Sequence, residues 1–161
     1  MDVDGVLTDG TVAIDEDGRE SKRVSFADIM GVSLGRKAGL HFALISGESG
    51  PCLDHIAGKF GITDVYAGCK DKAAALADFA REHELELSEV CFIGDDVNDL
   101  DALSSCGLAV VPSDAHASAR ARAALVTEAA GGGGAVREVI DRQLTARGDE
   151  GRASKTEDPA P

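Results

Sequence analysis

The residues able to do chemistry fall into four short clusters. The first is Asp2-Val3-Asp4-Gly5, continuing Val6-Leu7-Thr8-Asp9-Gly10. Its two carboxylates share a site if the chain turns directly after Asp2, a turn that Gly5 permits. Asp2 could then attack a phosphorus atom while Asp4 handles protons for the leaving group and for water. An acidic turn is the plain alternative. A calcium loop is excluded, because its glycine belongs at the sixth position and a glutamate at the twelfth.

The second cluster, Ile45-Ser46-Gly47-Glu48, ends an apolar run. Its hydroxyl could donate to a phosphate oxygen with help from the Gly47 amide, or Ser46 could open a loop and cap the next helix. The third is Lys72, at the start of a helical pattern after Gly68-Cys69-Lys70-Asp71. A cation there opposes the helix dipole, so a role in orienting a nucleophile and neutralising a phosphoryl group would account for it. Lys70 is the rival, and a solvated surface lysine the plain reading. The fourth, Gly94-Asp95-Asp96-Val97-Asn98-Asp99, offers hard carboxylate oxygens of the kind Mg²⁺ takes. An N-capping aspartate with acidic neighbours is its alternative. In chain order the clusters supply a nucleophile, an acid–base, a phosphate clamp, a cation and a metal site.

Elements that would position these clusters are legible in the periodicity. Strand-like runs at 41–46, 64–67, 90–94, 108–111 and 125–127 alternate with helical patterns near 28–38, 50–59, 71–83, 97–105, 115–123 and 134–145. That alternation predicts an α/β fold, a Rossmann-like, mainly parallel sheet with helices on both faces. Ligands in such sheets bind beyond the carboxyl ends of the strands, where all four clusters fall. Residues 10–26 break the alternation: Thr11–Ile14 and Ser21–Phe26 flank Asp15-Glu16-Asp17-Gly18, which predicts a projecting β-hairpin. Residues 146–161 are polar and end in proline, so a disordered tail is expected after one domain over 1–145. Only Met1 precedes Asp2, whereas a strand usually runs about five residues. The first strand therefore reads as cut short, with the chain expected to begin upstream.

The 161 residues suit a single core, and the formal charge of −13 disfavours nucleic-acid partners. No run approaches the roughly 20 apolar residues of a membrane span, and charged Asp2-Val3-Asp4 stands where a signal peptide would begin. A cytoplasmic protein with no membrane partner is expected. The four isolated cysteines match neither a zinc site nor a disulfide framework and read as reduced core thiols.

In these residues the chain resembles the haloacid dehalogenase (HAD) superfamily of phosphatases, over roughly residues 1–145. The motifs are DVDGVLTDG at 2–10, the hairpin, GDDVNDL at 94–100, DAH at 114–116 and GGGGAVREV at 131–139. More narrowly it is similar to the capless branch containing the 3-deoxy-D-manno-octulosonate 8-phosphate (KDO 8-phosphate) and nonulosonate 9-phosphate phosphatases. The resemblance implies an aspartyl-phosphate enzyme with Asp2 as nucleophile, Asp4 as acid–base, and Ser46 and Lys72 on the phosphate. It implies Mg²⁺ on Asp2, the Asp4 carbonyl and Asp95, supported by Asp96 and Asp99. It also implies no cap domain and a homotetramer in which the hairpins help close neighbouring sites.

Two positions depart from the KDO 8-phosphate pattern. Where that branch reads TGR and RDG, this chain reads Ser46-Gly47-Glu48 and Ala27-Asp28-Ile29. Both arginines are absent, and Glu48 matches the nine-carbon branch instead. The expected substrate-binding set is therefore Ser46, Gly47, Glu48, Lys72 and Asp28. Two other readings are a non-catalytic oligomerisation domain, like those fused to CMP–sugar-acid synthetases, and a bare metal-binding module.

Overall fold

The computed structural model describes residues 1–148, so most of the tail expected over 146–161 lies outside the described residues. The chain opens with an antiparallel hairpin of β1 (Ala13–Ile14) and β2 (Glu20–Ser21). Helix α1 (Phe26–Lys37) follows, then β3 (Ala43–Ile45), α2 (Pro51–Phe60), β4 (Asp64–Tyr66) and α3 (Lys72–Glu82). The rest is β5 (Cys91–Ile93), α4 (Leu100–Ser105), β6 (Leu108–Val111), α5 (Ala117–Arg120), β7 (Leu125–Val126) and α6 (Ala135–Arg147).

Strands β3 and β4 pair in parallel, as do β5, β6 and β7. Met1 and Asp2 join the two groups. The Met1 carbonyl accepts from the Ile45 N–H at 2.9 Å, and the Asp2 N–H donates to the Ile93 carbonyl at 2.9 Å. The order is thus β4, β3, the Met1–Asp2 segment, β5, β6, β7, which puts Asp2 in the middle of the sheet. Side chains alternate between the faces. Leu44, Ile93 and Val110 pack with Val32, Ile56, Val136 and Ile140 on one side, which carries α1, α2 and α6. Ile45, Phe92 and Val111 pack with Leu76, Leu103 and Ala119 on the other, which carries α3, α4 and α5. The α/β architecture with helices on both faces is as expected.

Several boundaries differ. The hairpin strands shrink to two residues each, and Phe26 joins α1, which Ser25 caps by accepting from the Ala27 N–H at 3.1 Å. The helix expected over 97–105 is broken into a 3-10 turn (Val97–Asp99) and α4, where the Asp99 carboxylate reaches back to the Asp95 N–H at 2.8 Å. Helix α6 runs past residue 145 to Arg147 and ends at Gly148.

Asp28 requires a correction. It is fully buried, and it accepts from the Gly134 N–H at 3.2 Å and the Arg137 N–H at 2.8 Å. Helix α6 has glycine at its N-cap and so no capping side chain of its own. The α1 carboxylate serves instead, and it is not among the residues lining the cavity where the other candidates meet. Among the described residues no helix is long and apolar enough to cross a membrane. The four cysteines are free, and burial pushes the Cys91 thiol up to about 12, consistent with inert thiols.

Candidate active site

The turn that the Asp2/Asp4 pair needs is present. The N–H groups of Val6, Leu7 and Thr8 all converge on the Val3 carbonyl, and Gly5 adopts φ +85°. A side chain at Gly5 would also overlap the Asp95 carboxylate, its Cβ falling 2.0 Å from Oδ2. Glycine is therefore required twice at this position, for the backbone and for space. Asp2 and Asp4 consequently face one cavity of about 260 Å³, shared with Ser46, Glu48 and Asp95.

Lys72 resolves its rivalry with Lys70. Lys70 is exposed, whereas Lys72 is buried with its ammonium 2.9 Å from Asp2 Oδ2 and 2.6 Å from Asp99 Oδ1. Burial alone would lower its pKa, but Asp2 and Asp99 outweigh that and raise it. The same two carboxylates offset the unfavourable dipole at the α3 N-terminus. Burial, then the neighbouring Asp99 charge, pushes the Asp2 pKa up against the opposing pull of Lys72.

The carboxylates of Asp2, Asp95 and Asp99 each bring an oxygen within 4.8 Å of the others. Asp99 is committed elsewhere: Oδ1 holds Lys72, and Oδ2 accepts from the N–H groups of Asp95 and Asp96. Asp95 is not. Its Oδ1 is buried without a hydrogen-bond partner. Burial, then Asp2, Asp99 and Asp96, pushes its pKa up to about 7. A buried, orphaned carboxylate oxygen among other carboxylates is a site that a hard divalent cation would satisfy. The Asp95 and Asp2 carboxylates would hold such an ion with Asp99 as their support, while exposed Asp96 caps the following turn by accepting from the Val97 N–H at 2.7 Å.

Ser46 is buried at the end of β3, and its Oγ accepts from the Glu48 N–H at 3.1 Å. Its loop is stitched to the one after β4 by the Cys69 N–H on the Ser46 carbonyl and the Gly68 N–H on the Glu48 carbonyl, both at 2.8 Å. Glu48 is exposed at the mouth of the cavity.

Three features of the site were not read from the sequence. Thr8 donates to Asp4 Oδ1 at 3.2 Å, and Lys22 of the hairpin reaches Asp4 Oδ2 at 2.8 Å. Behind them, Gly131 and Gly132 back the Asp2–Gly10 turn so closely that a Cβ on Gly131 would lie 1.9 Å from the Gly5 carbonyl oxygen. DAH and the glycine run carried part of this signal. Asp114 accepts from the Gly131 N–H at 3.0 Å, and the His116 N–H donates to the Asp95 carbonyl at 2.8 Å. Lys22 carried none.

A parallel α/β sheet with an aspartate pair at its central strand end, a buried lysine and an acidic loop defines a class of aspartate-based hydrolases. A family model described as haloacid dehalogenase-like hydrolase matches residues 39–140. The 3-deoxy-D-manno-octulosonate 8-phosphate phosphatase KdsC of Escherichia coli is 35% identical over 148 residues, 92% of this chain and 79% of that protein. The corresponding phosphatase of Moraxella catarrhalis, solved with magnesium, phosphate and KDO, superposes with a TM-score of 0.90 at 33% identity, covering 94% of this chain and 88% of that one. The cobalt-bound Haemophilus influenzae enzyme gives 0.89 at 32% identity, covering 96% and 90%. The chain belongs to the haloacid dehalogenase-like hydrolase family.

Proposed function

We propose that the chain is a Mg²⁺-dependent phosphomonoesterase acting on a phosphorylated 2-keto-3-deoxy sugar acid. The observation that carries the reading is the cavity in which Asp2, held by buried Lys72, meets Asp4 and the unpartnered Asp95 oxygen. Bound Mg²⁺ supplies charge neutralisation for the phosphoryl oxygens and the developing transition state. An Asp2 oxygen attacks phosphorus, and the bond to the ester oxygen breaks as Asp4 gives that oxygen a proton. Water, losing a proton to Asp4, then attacks the phosphorus. The acyl-phosphate bond breaks, releasing inorganic phosphate and restoring the Asp2 carboxylate. Lys72 and Ser46 face the transferred group throughout.

The relatives' names support a sugar-acid phosphate, and the absence of arginine at both position 27 and position 48 favours a nine-carbon acid over KDO 8-phosphate. Glu48 at the cavity mouth supports this by offering an acceptor for glycerol-type hydroxyls. Assembly as a homotetramer is supported by the exposed apolar side chains of Val12, Ile14, Phe26 and Met30 on the hairpin and α1. The test is a hydrolysis screen of KDO 8-phosphate, KDN 9-phosphate and N-acetylneuraminate 9-phosphate with Mg²⁺, beside the Asp2→Asn variant. Selective turnover lost in Asp2→Asn is expected. Retained activity in that variant would sink the mechanism, and negligible rates on all three would sink the substrate class.

A further inference from the structure

We propose that Lys22 is a positioning residue for proton transfer, delivered by the β1–β2 hairpin to hold the Asp4 carboxylate in its working orientation. This deepens the preceding reading and rests on it. The Lys22 ammonium lies 2.8 Å from Asp4 Oδ2, with only 11% of its side chain exposed and 32% of that of Asp4. A pairing so shielded is unlike the hairpin's other ion pairs. Arg19 with Asp15, and Arg23 with Asp9, keep 74% and 89% of the arginine side chains in solvent.

The geometry explains what the contact does. Asp4 sits in the tight turn that closes on the Val3 carbonyl, and its partly exposed carboxylate would otherwise rotate about its terminal torsion, which has broad preferences. Two groups prevent that. Thr8 Oγ1 donates to Oδ1 at 3.2 Å, and Lys22 donates to Oδ2. Thr8 is itself locked, because its Oγ1 accepts from the N–H groups of Gly5 and Gly10, both at 3.3 Å. One anchor therefore belongs to the nucleophile turn and the other to the hairpin. The hairpin is thereby a working part of the site. Its partner in sequence is 18 residues away, so only the fold brings them together.

Acting through Asp4 gives Lys22 a distinctive signature. A general acid matters when the departing oxygen is a poor leaving group, and little when it departs readily as a phenolate. The experiment compares Lys22→Met with the wild type on two substrates, p-nitrophenyl phosphate and the sugar-acid phosphate turned over in the screen, by kcat/KM. We expect a loss of about 10-fold or more on the alkyl ester and a change within about 3-fold on the aryl ester, given that positioned proton transfer contributes roughly 100-fold or more. A near-normal kcat/KM on the aryl ester, which ends at departure of the phenolate and so does not sample the later step in which Asp4 takes a proton from water, also establishes that the variant folds. Lys22→Arg should recover part of the alkyl activity. In an Asp4→Asn background, Lys22→Met should cost nothing further, because the two act as a unit. Equal losses on both substrates, no loss on either, or additive losses in the double variant would overturn the proposal. Asp2→Asn, run alongside, separates the cases: Asp2-dependent turnover indifferent to Lys22 sinks this inference alone, and turnover that does not depend on Asp2 sinks the mechanism and this inference with it.

Discussion

The Lys72 ammonium stands 2.9 Å from Asp2 Oδ2, so the first residue of α3 is bonded to the carboxylate at the centre of the sheet edge. Asp99 grips the same ammonium at 2.6 Å from a third element. Lys72→Met would leave two buried carboxylates facing each other. We expect a fall of roughly 3–5 kcal/mol in the stability of the metal-free protein, as for other broken buried pairs, and at least about a 100-fold loss of turnover. Chemical denaturation with and without Mg²⁺ checks this, with the cation recovering part of the loss. The pH sign also follows. Because the Lys72 pKa is raised, its contribution is fully present below its ordinary 10.5 and is lost only as pH climbs through the higher folded value. Metal-free stability equal to wild type at neutral pH would contradict the pairing.

Asp95 predicts a different pH window. Its pKa rises from 3.8 to about 7 in the fold, so its contribution to metal-free stability is present below 3.8 and lost as pH rises through about 7. A bound cation needs the carboxylate form. The thermal shift produced by Mg²⁺ should therefore be small at pH 5 and full at pH 8, with protons released on binding near neutrality. Asp95→Asn should remove most of the shift and flatten its pH profile. A Mg²⁺ shift of constant size from pH 5 to 8 would be inconsistent with Asp95 as ligand.

What was legible in the sequence was whatever local pattern carries. Strands such as Phe92-Ile93 and Val110-Val111 announce themselves as short apolar runs, and the four acidic, hydroxyl and lysine clusters follow them directly. The fold supplies what remains, because the partners are distant. Asp28 looked like a ligand by its place after the hairpin, but its hydrogen-bond partners lie 106 and 109 residues on. Lys22 sits in a polar hairpin where nothing nearby distinguishes it from a solvated charge. Lys72 was separable from Lys70 only in the fold, which buries Lys72 as the first residue of α3 and leaves Lys70 exposed in the loop before its cap.

The corrected role of Asp28 is itself testable. Asp28→Ala removes acceptors from two N–H groups at the start of α6, and capping losses cost about 0.5–2 kcal/mol. The expectation is a lower denaturation midpoint with KM for the sugar-acid phosphate unchanged within about 2-fold, since capping acts on stability alone. Burial raises the Asp28 pKa despite the opposing amides of Arg137 and Gly134. Its contribution is accordingly present below the ordinary 3.8 and lost as pH rises through the folded value. A large rise in KM without loss of stability would return Asp28 to the substrate.

Gly131 and Gly58 make a paired prediction about where glycine is needed. A Cβ at Gly131 would fall 1.9 Å from the Gly5 carbonyl oxygen, and backbone on both sides leaves no flexible side chain to yield. Gly131→Ala must therefore push the glycine loop off the Asp2–Gly10 turn, displacing Asp4 and the Gly5 surface against which Asp95 packs. Misplacement of about 1 Å at a reacting group can cost 100-fold, so a loss of that order in kcat is expected. Gly58 lies inside α2 with nothing within 4 Å of its would-be Cβ. Gly58→Ala should raise stability by about 0.5–1 kcal/mol through reduced backbone freedom in the unfolded chain, and leave turnover intact. Steady-state kinetics beside denaturation midpoints for the two variants separates the effects. Normal kcat in Gly131→Ala would mean that the loop can retreat without disturbing the Asp2–Gly10 turn, and that its close contact with Gly5 is packing alone.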